Sequence, residues 1–271
     1  MKNKKVVIIT GAAGGIGLAT AKKFAENNFC IALSDINEDG LNKAVEILEK
    51  NYQADCLTCY GNLEDINYIE NIVKQTIAKW SRIDVLVNNA AWRTIETMRT
   101  ISLENWEKVI RINLTAPAFL AKYVAKAMEG NSIAGVIINM SSVMSQRVGG
   151  NGPAYVACKG GIESLTYELA VLYGPKGIRV VGVKPGNIET NLSSDYKDEA
   201  GNNISERLKD HMNDNTPLQR AGNPEEIANV CYWLSSNEAS FITGASIVVD
   251  GGFFHNFNAY KMKKLQFPNE F

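Results

Sequence analysis

Short β-branched runs alternate with longer stretches of helical period along this chain, and that alternation constrains its fold more than any other feature. The apolar runs predict strands at Lys5–Thr10, Cys30–Ser34, Asp55–Cys59, Val85–Asn88, Gly135–Met140, Arg179–Val183 and Ser246–Val249. Between them, helical spacing predicts helices over residues 16–28, 38–51, 64–80, 103–128, 153–173 and 224–236. Strands apolar on both sides must be covered on both faces, which implies a parallel sheet between two layers of helices. Right-handed crossovers then give a doubly wound α/β domain with a seven-stranded sheet. No repeat or linker divides it, so residues 1–252 read as one Rossmann-type domain and 253–271 as a C-terminal tail. The polar stretch 190–222 follows neither period clearly, with room for one short helix.

Composition narrows the class of partner. A chain of 271 residues with a net charge of −1 has no electrostatic pull toward nucleic acid or an anionic membrane, so a small molecule is the expected partner. The basic start precedes an apolar run of only four residues, Val6–Ile9, too short for a signal peptide or a membrane span. A cytoplasmic protein is expected. Cys56 and Cys59 form the one C-x2-C pair, without a second Cys or His pair at ligand spacing, so no metal site is expected. His211 and His255 read as surface residues.

Between the first strand and first helix lies Thr10-Gly-Ala-Ala-Gly-Gly-Ile-Gly17. Glycines Gly11, Gly15 and Gly17 there permit a sharp turn, a close approach to a pyrophosphate and tight helix–strand packing, with the helix N–H groups facing the phosphates. Asp35 closes the second strand, where a carboxylate accepts both adenosine ribose hydroxyls and repels a 2′-phosphate. The loop has no basic residue and Ile36 is neutral, so NAD is expected over NADP.

The spacing of those glycines resembles the T-G-x3-G-x-G signature of the compact short-chain dehydrogenase/reductase family. Asn88-Asn-Ala-Ala91 is similar to its N-N-A-G, Pro185-Gly-Asn-Ile-Glu-Thr190 to its P-G-x-I-x-T, and Ile247-Val-Val-Asp-Gly-Gly252 to its last strand. The motifs span residues 5–252 in family order. The resemblance implies that Ile16 belongs to the dinucleotide loop and that Asn62 and Leu63 border the adenine. It also implies Asn89 and Ala90 at the riboses, and Ile188 and Thr190 at the nicotinamide carboxamide. Asn62 stands where the family usually has Asp, and Ala91 replaces a glycine.

Tyr155 and Lys159 are spaced i, i+4 on one helix face. A phenol is a poor base at neutral pH, and a neighbouring ammonium would favour its phenolate. Ser142 follows the fifth strand at its carboxyl end, where doubly wound sheets bind ligands. It lies thirteen residues before Tyr155, the family's spacing for its active serine. Pro117 has no N–H to return to the Asn113 carbonyl, so a bend is expected there. The resemblance implies that Asn113 holds a water contacting Lys159. The expected chemistry is hydride transfer between NAD and a secondary alcohol or ketone, with Tyr155 as general base, Ser142 as oxygen donor and Lys159 as tuner. An NADPH-dependent 3-oxoacyl-carrier-protein or other carbonyl reductase is the alternative, and a non-catalytic nucleotide sensor a third reading. Trp92, Arg93, Met144, Arg147, Asn187 and the 190–222 segment are candidate substrate contacts, and Lys184 reads as structural or solvent-exposed. The aromatic tail is expected to pack on another subunit, since the family is usually tetrameric.

Overall fold

A computed structural model describes residues 4–190, 196–198 and 200–271. Seven parallel strands run in the order β3-β2-β1-β4-β5-β6-β7. They are β1 (Val6–Thr10), β2 (Cys30–Asp35), β3 (Cys56–Tyr60), β4 (Val85–Asn88), β5 (Val136–Met140), β6 (Arg179–Pro185) and β7 (Ser246–Val249). This is the expected single Rossmann-type sheet, with every strand within two residues of its predicted bounds.

Side chains alternate across each strand, so neighbours enter opposite layers. Val7 and Ile9 of β1 pack with helices α1 (Gly15–Glu26), α2 (Glu38–Tyr52) and α8 (Pro224–Ser235), through Phe24, Leu48 and Cys231 among others. Ile8, between them, enters the other layer with α3 (Ile66–Trp80), α5 (Ala116–Gly130) and α6 (Pro153–Tyr173), through Ile72, Leu120 and Leu169. At roughly 1.5–3 kcal/mol per fully buried aliphatic side chain, these two layers supply most of the driving force.

The helix predicted over 103–128 is two helices, α4 (Leu103–Ile110) and α5, joined by a π-helical turn at Arg111–Thr115. Its cause is legible in the chain: Pro117 lacks the donor that would answer the Asn113 carbonyl, and the ladder slips so that Ala116 N–H bonds the Arg111 carbonyl, five residues back. Two further helices, α7 (Ser205–Asp214) and α9 (Tyr260–Gln266), fall in the stretches without a clear period.

Strand order reverses direction of growth at β1, whose neighbours are β2 and β4. At that switch point the loops leaving the carboxyl ends of the strands splay apart and open a crevice.

Candidate active site

Loops after β1, β2, β4, β5 and β6 enclose a cleft of about 720 Å³, walled on its far side by α7 and Phe253. Gly11, Gly15, Ile16, Asp35, Asn89, Ala90, Ser142, Tyr155, Lys159, Ile188 and Thr190 all line it.

The glycine loop forms one end. Gly11 and Gly15 hold φ of +66° and +51°, a region that side chains disfavour. A Cβ on Gly17 would stand 2.0 Å from the Gly11 carbonyl oxygen, so Gly17 sits behind the loop and lets α1 close on β1. Gly14 has open space where a Cβ would be, on the cleft side. The first N–H groups of α1 have no partner within the helix and carry its positive dipole end. Asn89 staples the loop from β4: its Nδ2 donates to the Thr10 carbonyl at 2.9 Å, while the amides of Asn89 and Ala90 both donate to Thr10 Oγ1 at 3.0 Å. Asp35 accepts from the amides of Ala13 (2.9 Å) and Asn37 (3.0 Å), which hold its carboxylate on the cleft wall with lone pairs to spare. A bare glycine cradle, free N–H groups and a fixed carboxylate fit a dinucleotide's pyrophosphate and ribose.

Two residues assigned to the adenine follow β3 beside Asp35, whose carbonyl accepts from the Gly61 amide at 3.1 Å. Asn62 is engaged with Glu64, donating to its carboxylate at 2.9 Å and accepting from its amide at 3.0 Å, and Leu63 packs into the α3 and α5 layer. Neither lines the cleft.

At the other end, β5 runs out into Ser141 and Ser142, whose side chains diverge as strand neighbours do. Ser141 Oγ points inward, 3.1 Å from both the Lys159 carbonyl and Glu163 Oε1. Ser142 Oγ faces the cleft, where it accepts from the Met144 amide at 3.1 Å beside the Tyr155 phenol. Helix α6 begins at Pro153, whose missing N–H costs nothing in a first turn, and so carries Tyr155 and Lys159 on one face. Lys159 Nζ donates to the Met140 carbonyl at 2.6 Å and lies 5.3 Å from the Tyr155 ring centroid.

The electrostatics revise one expectation. Burial pushes the Tyr155 phenol up to about 12, against lowering by the Ser142 hydroxyl and the Arg93 charge. Desolvation likewise brings Lys159 down to about 8. A water-poor pocket disfavours phenolate and ammonium alike, and at Tyr155 it outweighs the Ser142 and Arg93 contributions that favour the phenolate.

Asn113 is 1% exposed and sits in the π turn. Its Nδ2 donates to the carbonyls of Trp92 (2.6 Å) and Val109 (2.9 Å), and its Oδ1 accepts from Trp92 N–H at 3.3 Å. The side chain is thus spent on bracing the loop after β4.

Among the substrate candidates, Arg93, Met144 and Asn187 line the cleft. Trp92 does not: it packs against Val109, Tyr155 and Cys158 with Lys108 Nζ 4.5 Å from its ring centroid. Arg147 lines the cleft, but its guanidinium is committed to the carbonyls of Phe253, Phe254 and Asn256 and stacks 4.1 Å from the Phe253 ring centroid. It braces the tail through Nη1, which makes all three bonds, while the guanidinium's other nitrogens are not used by these carbonyls. Lys184 is 4% exposed and paired with Glu163, so of its two expected roles the structure shows the structural one.

The far wall comes largely from the 190–222 segment expected to line the pocket, through Tyr196, Leu208, His211, Met212 and Asn215; Phe253 is the lining residue that sequence reasoning missed. Arg93 stacks over Tyr196, 4.8 Å from its ring centroid. Leu208, His211, Met212 and Asn215 recur at helical spacing, a signal that was present in a stretch otherwise too polar to stand out. His211, expected at the surface, is exposed but on the cleft rim, with Nε2 3.5 Å from Asn215 Nδ2.

A family model described as enoyl-(acyl carrier protein) reductase matches residues 11–254. The chain is 33% identical to glucose 1-dehydrogenase 2 of Bacillus subtilis, with 92% of this chain and 94% of that protein covered. It is 31% identical to meso-2,3-butanediol dehydrogenase of Serratia marcescens, again over 92% and 94%. The crystal structure of a short chain dehydrogenase from Bacillus anthracis superposes with a TM-score of 0.82 at 32% identity, covering 92% of this chain and 96% of that one. Dehydrogenases of this type use nicotinamide cofactors, in keeping with the glycine cradle. A seven-stranded sheet, a cleft at its switch point and likeness over nearly the whole chain make this protein an oxidoreductase belonging to the short-chain dehydrogenase/reductase family.

Proposed function

We propose that the protein interconverts a small secondary alcohol and its ketone with NAD(H), using Ser142, Tyr155 and Lys159. The observation that carries this reading is the convergence of those three side chains on a wall shared with the glycine loop. Gly11, Gly15 and Ile16 would hold the pyrophosphate, Asp35 the adenosine ribose, Asn89 and Ala90 the riboses, and Ile188 and Thr190 the carboxamide. Bound there, the nicotinamide supplies the hydride acceptor or donor. Asp35 favours NAD, because a 2′-phosphate beside that carboxylate is repelled.

The chain's own part is proton handling. Ser142 Oγ donates to the substrate oxygen and holds it against Tyr155. A phenol pushed up to about 12 is protonated at neutral pH, so Tyr155 stands ready to protonate a developing alkoxide in the ketone-reducing direction. In the opposite direction it must first lose that proton, which positive charge close by and rising pH both favour. Lys159 sits under the ring to supply charge, and the Asn113 carbonyl would hold the water through which its proton exchanges.

The relatives named for glucose and 2,3-butanediol act on compounds with adjacent hydroxyls, which supports a sugar, hydroxy acid or cyclic alcohol here. Exposed Tyr167, Val171 and Leu172 on the outer face of α6 support assembly with further copies as a homotetramer. Five free cysteines fit the reducing cytoplasm.

Tyr155→Phe tests the reading. It should lower kcat by about two to four orders of magnitude, the usual worth of a positioned general acid–base, while NADH affinity stays within about twofold. Turnover near wild type in that variant would refute the assignment.

A further inference from the structure

Beneath the cleft lies a buried ion pair that none of the chemistry above uses. Lys184 and Glu163 are 4% and 6% exposed, and Lys184 Nζ lies 3.1 Å from Glu163 Oε1 and 3.2 Å from Oε2. Removing two charges from water is expensive, and a buried pair at best roughly breaks even against apolar packing of the same volume. Net stability is therefore a poor reason for this one.

Its partners suggest a better reason. Glu163 stands one turn beyond Lys159 on α6, and its Oε1 receives Ser141 Oγ at 3.1 Å, one residue before Ser142. The same hydroxyl lies 3.1 Å from the Lys159 carbonyl. Lys184 is the penultimate residue of β6, just before Pro185-Gly186, which leads to Asn187 and Ile188. Its ammonium also donates to Gln146 Oε1 at 3.0 Å, in the loop between Met144 and Arg147, and lies 5.0 Å from the Phe254 ring centroid. One charged node thus ties the end of β5, helix α6, the end of β6, the loop after Ser142 and the root of the tail.

We propose that Glu163 and Lys184 are positioning residues, which lock the strand end bearing Ser142 to the helix bearing Tyr155 and Lys159. The inference rests on the reading of those three as the reacting groups. Ser142 and Tyr155 come from separate elements, yet both must reach one substrate oxygen. A displacement of about 1 Å between them costs on the order of 100-fold in rate. Directional, charge-assisted bonds hold such a register where apolar contacts would let it slide.

Three variants test this beside Tyr155→Phe. Ser141→Ala removes only the hydroxyl that joins Glu163 to β5. Lys184→Met with Glu163→Gln replaces the pair by a neutral one and leaves no buried charge unpartnered, whereas Lys184→Met alone strands the carboxylate. The neutral double variant should melt within a few degrees of wild type and bind NADH within about twofold. Its kcat should nevertheless fall at least tenfold with KM little changed, and Ser141→Ala should show the same pattern more mildly. Wild-type kcat in both Ser141→Ala and the folded double variant, with Tyr155→Phe inactive, would overturn the positioning role while sparing the active-site reading. Should the double variant fail to fold, Ser141→Ala decides by itself: unaltered kcat refutes the proposal, and lowered kcat with intact NADH binding and melting supports it. An active Tyr155→Phe would instead sink the reading beneath both.

Discussion

Lys159 should contribute growing stability to the cofactor-free protein as pH rises from 7 to 10, and Lys159→Met should remove that contribution. The folded protein holds this ammonium in a buried site that lowers its pKa from 10.5 to about 8. Between those values the unfolded chain binds a proton that the folded one does not, so raising the pH favours folding at up to about 1.4 kcal/mol per pH unit. Over the whole window the gain is about 3 kcal/mol. Below pH 8 both states are protonated and the full penalty of burying the charge is present. Tyr155, its pKa raised from 10 to about 12, works the other way above pH 10. The thiols of Cys56, Cys59, Cys158 and Cys231, raised by burial from 9 to about 11–12, do so above pH 9. Wild type and variant share these groups, so the difference between the two proteins isolates Lys159. Lys159→Met removes the charge and, with it, the penalty. The variant should therefore be inactive yet more stable than wild type at pH 7, by about 3 kcal/mol less the lost bond to the Met140 carbonyl, itself worth about 1–2 kcal/mol. Urea midpoints for the two proteins at half-unit steps from pH 6.5 to 10 measure the difference directly. The variant's advantage should shrink steadily above pH 8 and reverse by pH 10. A flat difference across that range would refute the claim that desolvation dominates at Lys159.

The remaining predictions bear on cofactor, direction and tail. Asp35→Ala should weaken NAD binding about tenfold, through lost ribose hydrogen bonds, and narrow the preference over NADP; unchanged binding of both would refute its role. Because burial keeps Tyr155 protonated to about 12, initial rates of ketone reduction should hold or rise toward pH 6 while alcohol oxidation climbs toward alkaline pH. Coincident pH profiles for the two directions would contradict this. Deleting residues 257–271 removes Lys263 Nζ from Asn256 (2.8 Å) and the Lys261 amide from Asp214 (3.0 Å), loosening α7 on the cleft wall. Substrate KM should rise severalfold with NADH affinity kept, and an unchanged KM together with unchanged oligomer size would refute the tail's part in the site.

How much of this was legible beforehand depends on the range of the interaction concerned. Strand runs, the glycine loop, Asp35 and the Tyr155–Lys159 spacing are local patterns, and local patterns survive in one dimension. The π turn at Arg111–Thr115 was half legible, because Pro117 announces a missing donor but not how the ladder repairs itself. Helix α7 was nearly invisible. Its cleft-facing residues keep helical spacing, but their neighbours are too polar for the stripe to stand out, and docking rather than hydrophobic burial gives it meaning.

Other features belonged to the tertiary structure alone. Arg147 looked like a ligand for an anion, and only the fold brings three tail carbonyls to its guanidinium from more than a hundred residues away. Lys184 and Glu163 lie on separate elements, and nothing in their neighbours foretells that β5, α6 and β6 press them into one buried pair. Tyr155 and Lys159 were visible as a pair, but the sign of the shift at the phenol was not. Proximity in sequence says which charges are near, whereas burial, which outweighed them, is a property of everything packed around the site. The sequence by itself determined the architecture and the chemical groups in the cleft, because periodicity and motif spacing are local. The tertiary structure decided their ionisation, their bracing and the far wall, because solvent exclusion and long-range contacts exist only once the chain has closed on itself.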